Sequence, residues 1–76
     1  MSVLPRISGR DVASAFRKLG YELDRQRGSY IILRHPQPPN RRLTIPDHRE
    51  VAKGTLRALI REAGISVDDF ITLVSR

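Results

Sequence analysis

Helical periodicity near both ends of the chain, with short alternating runs between, predicts an α+β fold: a three-stranded antiparallel sheet with helices on one face. Three observations carry that expectation. Apolar residues recur at helical spacing over residues 12–19 and 56–63, and again in the last ten residues. Three runs rich in β-formers lie between residues 21 and 45. Gly and Pro stand wherever one pattern gives way to the next. A chain of 76 residues buries only about 60% of its unfolded surface, so one domain spanning residues 1–76 is expected.

The first helix is expected to start at Ser8, an N-cap with Asp11 three residues on, a shortened capping box. Val12, Ala15, Phe16 and Leu19 give its apolar stripe, and Gly20 stands where a C-cap belongs. In the first strand, Tyr21 to Arg27, strict alternation puts Tyr21 and Leu23 on one face and Glu22, Asp24 and Gln26 on the other. Gly28 and Ser29 make a turn. The second strand, Tyr30 to His35, directs Ile31 and Leu33 inward and Tyr30, Ile32 and Arg34 outward. The segment Pro36-Gln37-Pro38-Pro39-Asn40 lacks the donors to continue a ladder and reads as a surface connection. Arg41 to Ile45 forms a third strand, ended by Pro46. A second helix runs from Lys53 to Ala63 with Leu56, Leu59, Ile60 and Ala63 at helical spacing and Gly64 as its stop. Ser66 caps a third helix, again with an acid three residues later at Asp69, and Phe70, Leu73 and Val74 form its apolar face.

The expected order is therefore α-β-β-β-α-α. Its core draws Tyr21, Leu23, Ile31, Leu33, Leu43 and Ile45 from the sheet and Val12, Phe16, Leu19, Leu56, Leu59 and Ile60 from the helices. The opposite sheet face then shows Tyr30, Arg34, Arg42 and Thr44.

Composition narrows the function. The net charge is +6, and 12 of the 14 cationic residues are Arg. The planar guanidinium grips phosphate with two hydrogen bonds, so this excess points toward nucleic acid, although a solvated charged coat explains charge alone equally well. Lys53, Arg57 and Arg61 recur every four residues as a basic stripe on the second helix. Cysteine is absent, which leaves no disulfide framework or thiolate metal site and fits a reducing, cytoplasmic setting. No run of 18 apolar residues exists to cross a bilayer, and the N-terminus has no apolar leader.

Few catalytic constellations are on offer. His35 and His48 are separated by the proline loop and a strand, so no histidine pair makes a metal site. No G-x-S-x-G elbow or phosphate-loop glycine pattern is present. What remains is metal-independent RNA cleavage, in which the substrate's own 2′-hydroxyl is the nucleophile and the protein moves protons and stabilises charge. His48 reads as a surface imidazole beside the turn, a cap of the second helix or a proton carrier. His35 reads as a solvated loop residue. Tyr30 reads as a stacking platform, a general acid or an aromatic covering a neighbouring strand.

The segments G-Y-E-L-D-R-Q-R-G-S, R-H-P, I-P-D-H, K-G-T-L-R-A-L-I-R-E-A-G-I-S and D-D-F, in this order and spacing, resemble HicA, the toxin half of HicA/HicB toxin-antitoxin pairs. The resemblance runs from Ser8 to about Leu73. It implies a fold like the double-stranded-RNA-binding domain. It also implies the toxin of a type II toxin-antitoxin system, an endoribonuclease that cleaves mRNA without metal or cofactor and blocks translation until a HicB-like antitoxin covers it. Arg27, Ser29, Arg34, Arg42, Lys53, Arg57 and Arg61 are the candidate RNA contacts. The family's catalytic histidine follows the Gly-Ser of the turn, and the matching position here is Tyr30. Four accounts of that exchange stand side by side: Tyr30 acts as the acid; another residue such as His48 has taken over; the chain is an inactive module that still binds RNA or antitoxin; or the tyrosine is an introduced substitution.

Overall fold

The computed structural model describes residues 3–75; Met1, Ser2 and Arg76, included in the expected domain span, lie outside the described residues. The elements follow the expected order: α1 (Gly9–Arg17), β1 (Glu22–Arg27), β2 (Tyr30–Arg34), β3 (Arg42–Pro46), α2 (Lys53–Ala63) and α3 (Val67–Ser75). Helix α1 begins where its cap predicts, with the Asp11 N–H donating to Ser8 Oγ at 3.1 Å. It ends at Lys18 rather than Gly20, and Leu19 and Gly20 close a tighter turn by donating to the Phe16 and Arg17 carbonyls. Helix α2 stops at Gly64, whose φ of +75° suits a residue without Cβ. At α3 the capping is reciprocal: Asp69 N–H donates to Ser66 Oγ at 3.0 Å, and Ser66 N–H donates to Asp69 Oδ2 at 3.4 Å.

The sheet is antiparallel in the order β1-β2-β3. Strand β2 is central, with Ile31 and Leu33 paired to Ile45 and Leu43, all four buried beneath the helices. On β1 strict alternation fails. The register steps from Leu23 opposite Leu33 to Arg25 opposite Ile32, leaving Asp24 as a bulge. One extra residue reverses the facing of everything after it. Gln26, expected on the outer face, stands opposite Ile31 on the helix side, while Arg25 and Arg27 stand opposite Ile32 and Tyr30 on the bare side.

The buried residues form one cluster, centred on Phe16, Phe70, Leu33, Leu43, Ile45, Leu56 and Val12. Most of the expected core is there, with two corrections. Leu23 is 54% exposed, because β1 is an edge strand and α1 packs mainly over β2 and β3. Leu19 is only partly buried against the cluster. Leu4, Ile7 and Val51 are buried without having been expected, since they lie in extended segments that have no periodicity to read. Those segments are bound together: Val51 N–H donates to the Ile7 carbonyl at 2.8 Å and Gly9 N–H to the His48 carbonyl at 2.9 Å. A Cβ at Gly9 would collide with the Pro46 carbonyl, so only glycine lets α1 start this close to the end of β3.

Phe70 ties α3 to the rest, with its ring centroid 5.4 Å from that of Phe16 and no solvent exposure. Phe70→Ala is expected to cost about 3–5 kcal/mol of unfolding free energy, measured by urea denaturation. A loss near that of an exposed-site variant would mean that α3 contributes little to the core.

Candidate nucleic-acid interface

All helices bury their apolar residues on one side of the sheet, which leaves the other side bare. Directly opposed residues on antiparallel strands point the same way, so the register assembles that face into three rows. The first is Arg27, Tyr30 and Pro46, the proline itself being buried; the second is Arg25, Ile32 and Thr44; the third is Glu22, Arg34 and Arg42. Four arginines thus surround one acid, with Tyr30, 51% exposed, at one end. None of the four arginines makes an ion pair or side-chain hydrogen bond with another described residue. Arg34, Arg42 and Thr44 stand where the alternation of their strands placed them. Arg25 was missed and reaches this face only through the bulge.

The Tyr30 end of the sheet is held by Asp47. Its N–H donates to the Ser29 carbonyl at 2.7 Å, Gln26 Nε2 donates to Oδ2 at 3.0 Å, and Arg10 Nε lies 3.4 Å from Oδ1. One residue therefore joins the β1–β2 turn, the edge strand and α1. It was missed because none of its partners is near it in sequence. His48 follows directly, with an exposed ring and its carbonyl held by Gly9. Helix α2 is capped at Ala52 without a side-chain hydrogen bond, so His48 is not its cap. Tyr30, Ser29, Arg27 and His48 consequently share one end of the molecule, Tyr30 being paired with Pro46 two residues before His48.

Lys53, Arg57 and Arg61 are exposed on α2, in the helix layer. They do not share the surface that carries Arg27, Arg34 and Arg42. The candidate contacts thus divide between a helix and the sheet, a division that sequence spacing could not reveal.

A cleft of about 440 Å³ lies at the opposite end of β2 from Tyr30, lined by Tyr21, His35, Pro38, Pro39, Arg41 and Ile65 among others. His35 is not a solvated loop residue: it is half-buried and edge-on to Tyr21 at 5.0 Å. Its Nδ1 accepts from Gln37 N–H at 3.2 Å, which leaves Nε2 to donate to the Leu19 carbonyl at 3.2 Å. Both ring nitrogens thus hold the fold together. Arg41 is likewise engaged, Nη1 donating to the Glu62 carbonyl at 2.8 Å. Among the described residues no three His, Asp or Glu side chains converge in a way that could hold a metal ion. Nor is any described helix long and apolar enough to cross a membrane.

The fold and its bare face define a class: a small two-layer α+β domain presenting an arginine-rich sheet surface around one exposed aromatic. The particular family follows from comparison. The family model for the HicA toxin of bacterial toxin-antitoxin pairs matches residues 9–65, from the start of α1 to just beyond α2, and the chain belongs to that family. It is the toxin of a toxin-antitoxin system, with an antitoxin as partner. A search of curated proteins gives no match.

Two expectations follow from these contacts. Asp47→Ala removes the acceptor shared by Gln26 and Arg10 and is expected to cost about 1–2 kcal/mol by denaturant unfolding. Asp47→Asn, which keeps an acceptor for Gln26, should cost less. Burial raises the Tyr21 phenol above the usual tyrosine range, Arg41 opposes the rise, and Glu62 adds to it. A phenol harder to ionise in the folded chain contributes stability that is complete below its unfolded value, about 10, and is lost as pH rises through the folded value. Melting temperature should therefore fall as pH climbs above about 10, and more shallowly in Tyr21→Phe.

Proposed function

We propose that this toxin is an endoribonuclease that cleaves mRNA through the strand's own 2′-hydroxyl, with Tyr30 and His48 as the proton carriers and no metal or cofactor. The observation that supports the reading is the placement of Tyr30: half-exposed at the start of the central strand, opposite Arg27 and Pro46, at the end of the sheet where His48 follows. In the reaction a base removes the 2′-proton, the 2′-oxygen attacks the adjacent phosphorus, and the bond to the 5′-oxygen breaks. That oxygen takes a proton from the acid, leaving a 2′,3′-cyclic phosphate and a 5′-hydroxyl. A phenol suits the acid step and an imidazole the base step. Arg27 is placed to stabilise charge developing on the phosphoryl oxygens. Ser29, Arg34 and Arg42 serve as contacts on the sheet side, while Lys53, Arg57 and Arg61 attract the polyanion from the helix layer. Messenger RNA as substrate places the work in the cytoplasm. An antitoxin of the HicB kind, offering acidic groups, would match this cationic surface.

A second reading has its own support. The position that the family resemblance gives to a catalytic histidine holds Tyr30, and a chain without that imidazole is then a binding module for RNA or antitoxin, inactive as a nuclease.

One assay separates them. Purified protein is incubated with single-stranded RNA in the presence of EDTA, and the product ends are analysed. The ribonuclease reading expects cyclic-phosphate products, with Tyr30→Phe lowering the rate by about 10²–10⁴. Silent wild type beside an active Tyr30→His would overturn it in favour of the binding module.

A further inference from the structure

Two hydrogen bonds set the phase of the β2–β3 ladder. His35 N–H donates to the Arg41 carbonyl at 2.9 Å, and Asp47 N–H donates to the Ser29 carbonyl at 2.7 Å. Hydrogen-bonded and non-hydrogen-bonded pairs alternate between them. Ile31/Ile45 and Leu33/Leu43 are therefore hydrogen-bonded pairs, while Tyr30/Pro46, Ile32/Thr44 and Arg34/Arg42 are not. Pro46, which has no N–H, falls where none is needed. In non-hydrogen-bonded pairs the Cα atoms approach to about 4.5 Å and the side chains are closest.

Arg34 and Arg42 thus stand side by side on the bare face. Like charges at such a position destabilise a sheet, and Glu22, opposite Arg34, offers one acid to two guanidiniums. Two arginines off this face are engaged, Arg10 by Asp47 and Arg41 by the Glu62 carbonyl. Neither Arg34 nor Arg42 has an ion pair or side-chain hydrogen bond among the described residues. Two forked donors that repel each other and share one open surface are arranged for an anion between them.

We propose that Arg34 and Arg42 form a phosphate clamp for the backbone of an RNA strand lying along β2 on the bare sheet face. Identifying the anion as RNA rests on the ribonuclease reading above. Tyr30 lies four residues from Arg34 on the same strand, about 13 Å away. The clamp therefore grips a phosphate other than the one beside Tyr30. Arg25, brought to the face by the Asp24 bulge, lies in the row between. The toxin accordingly needs nucleotides beyond the step it cuts, and a dinucleotide misses the clamp.

The test measures binding of a fluorescent single-stranded oligonucleotide carrying 2′-O-methyl groups, which cannot be cleaved through its 2′-oxygen. Arg34→Gln and Arg42→Gln should each weaken binding at low salt and reduce the slope of log K against log salt by about 0.7. Because they share one phosphate, the double variant should lose little more than either single one. Arg6→Gln, equal in charge change but on the far-exposed N-terminal segment, is the control. Without RNA, removing either guanidinium relieves the repulsion and should raise the melting temperature by about 1–5 °C, which loss of a merely structural arginine would not do. Binding that tracks Arg57→Gln and Arg61→Gln instead, additive losses at Arg34 and Arg42, or no RNA binding at low salt would overturn the clamp. The last result would leave the face to an acidic protein. Binding in the expected pattern by a protein that leaves ordinary RNA uncut keeps the clamp and removes the ribonuclease reading; cleavage with binding through α2 does the reverse.

Discussion

Everything on both sides of this molecule depends on the pairing register of the central strand. Ile31 and Leu33 can be buried only if they face the helices, and a strand's period of two then sends Tyr30, Ile32 and Arg34 to the other side. Sliding the strand by one residue would expose two core side chains and bury an arginine, so the hydrophobic effect that builds the core also holds the cationic face in place. Stability and the candidate site are consequently two consequences of one register.

The edges of the sheet show how that order is extended. On β3, Leu43 and Ile45 repeat the inward pattern, and Arg42 and Thr44 follow outward without further help. The β1 edge has no buried residue, so burial cannot choose its facing, and the bulge at Asp24 does so instead. An edge that is charged or polar apart from Leu23, and carries a bulge, also discourages pairing with a second sheet. At the end near Tyr30, Asp47 fastens the turn and α1 to the strand that precedes His48. The far end is fastened by His35, whose ring nitrogens bind the chain on either side of the cleft. One histidine is thereby committed to structure, and the ring of the other, His48, is exposed.

Much of this was legible in the chain. Caps at Ser8 and Ser66, the stop at Gly64 and the alternation through Ile31 and Leu33 rest on local hydrogen bonding and periodicity, which neighbouring residues specify. Burial of Leu4, Ile7 and Val51 was not legible, because extended segments acquire an inside only when another segment covers them. The exposure of Leu23 had the same origin: its pattern was right and its strand happened to be an edge. Asp47 was hidden for a related reason, since its partners come from α1, β1 and the turn.

The sequence by itself determined the element order, the inward residues of β2 and β3, the basic character and the position of Tyr30 after a tight turn, because each follows from local chemistry or from a single strand's period. Only the tertiary structure decided which cations share a surface. It put Lys53, Arg57 and Arg61 on a helix and Arg34 and Arg42 on the sheet. Through one unpaired residue it moved Arg25 and Arg27 to the side of Tyr30, and through the phase of the ladder it set Arg34 against Arg42. The physical reason is that a register is a relation between strands, and no strand carries it alone.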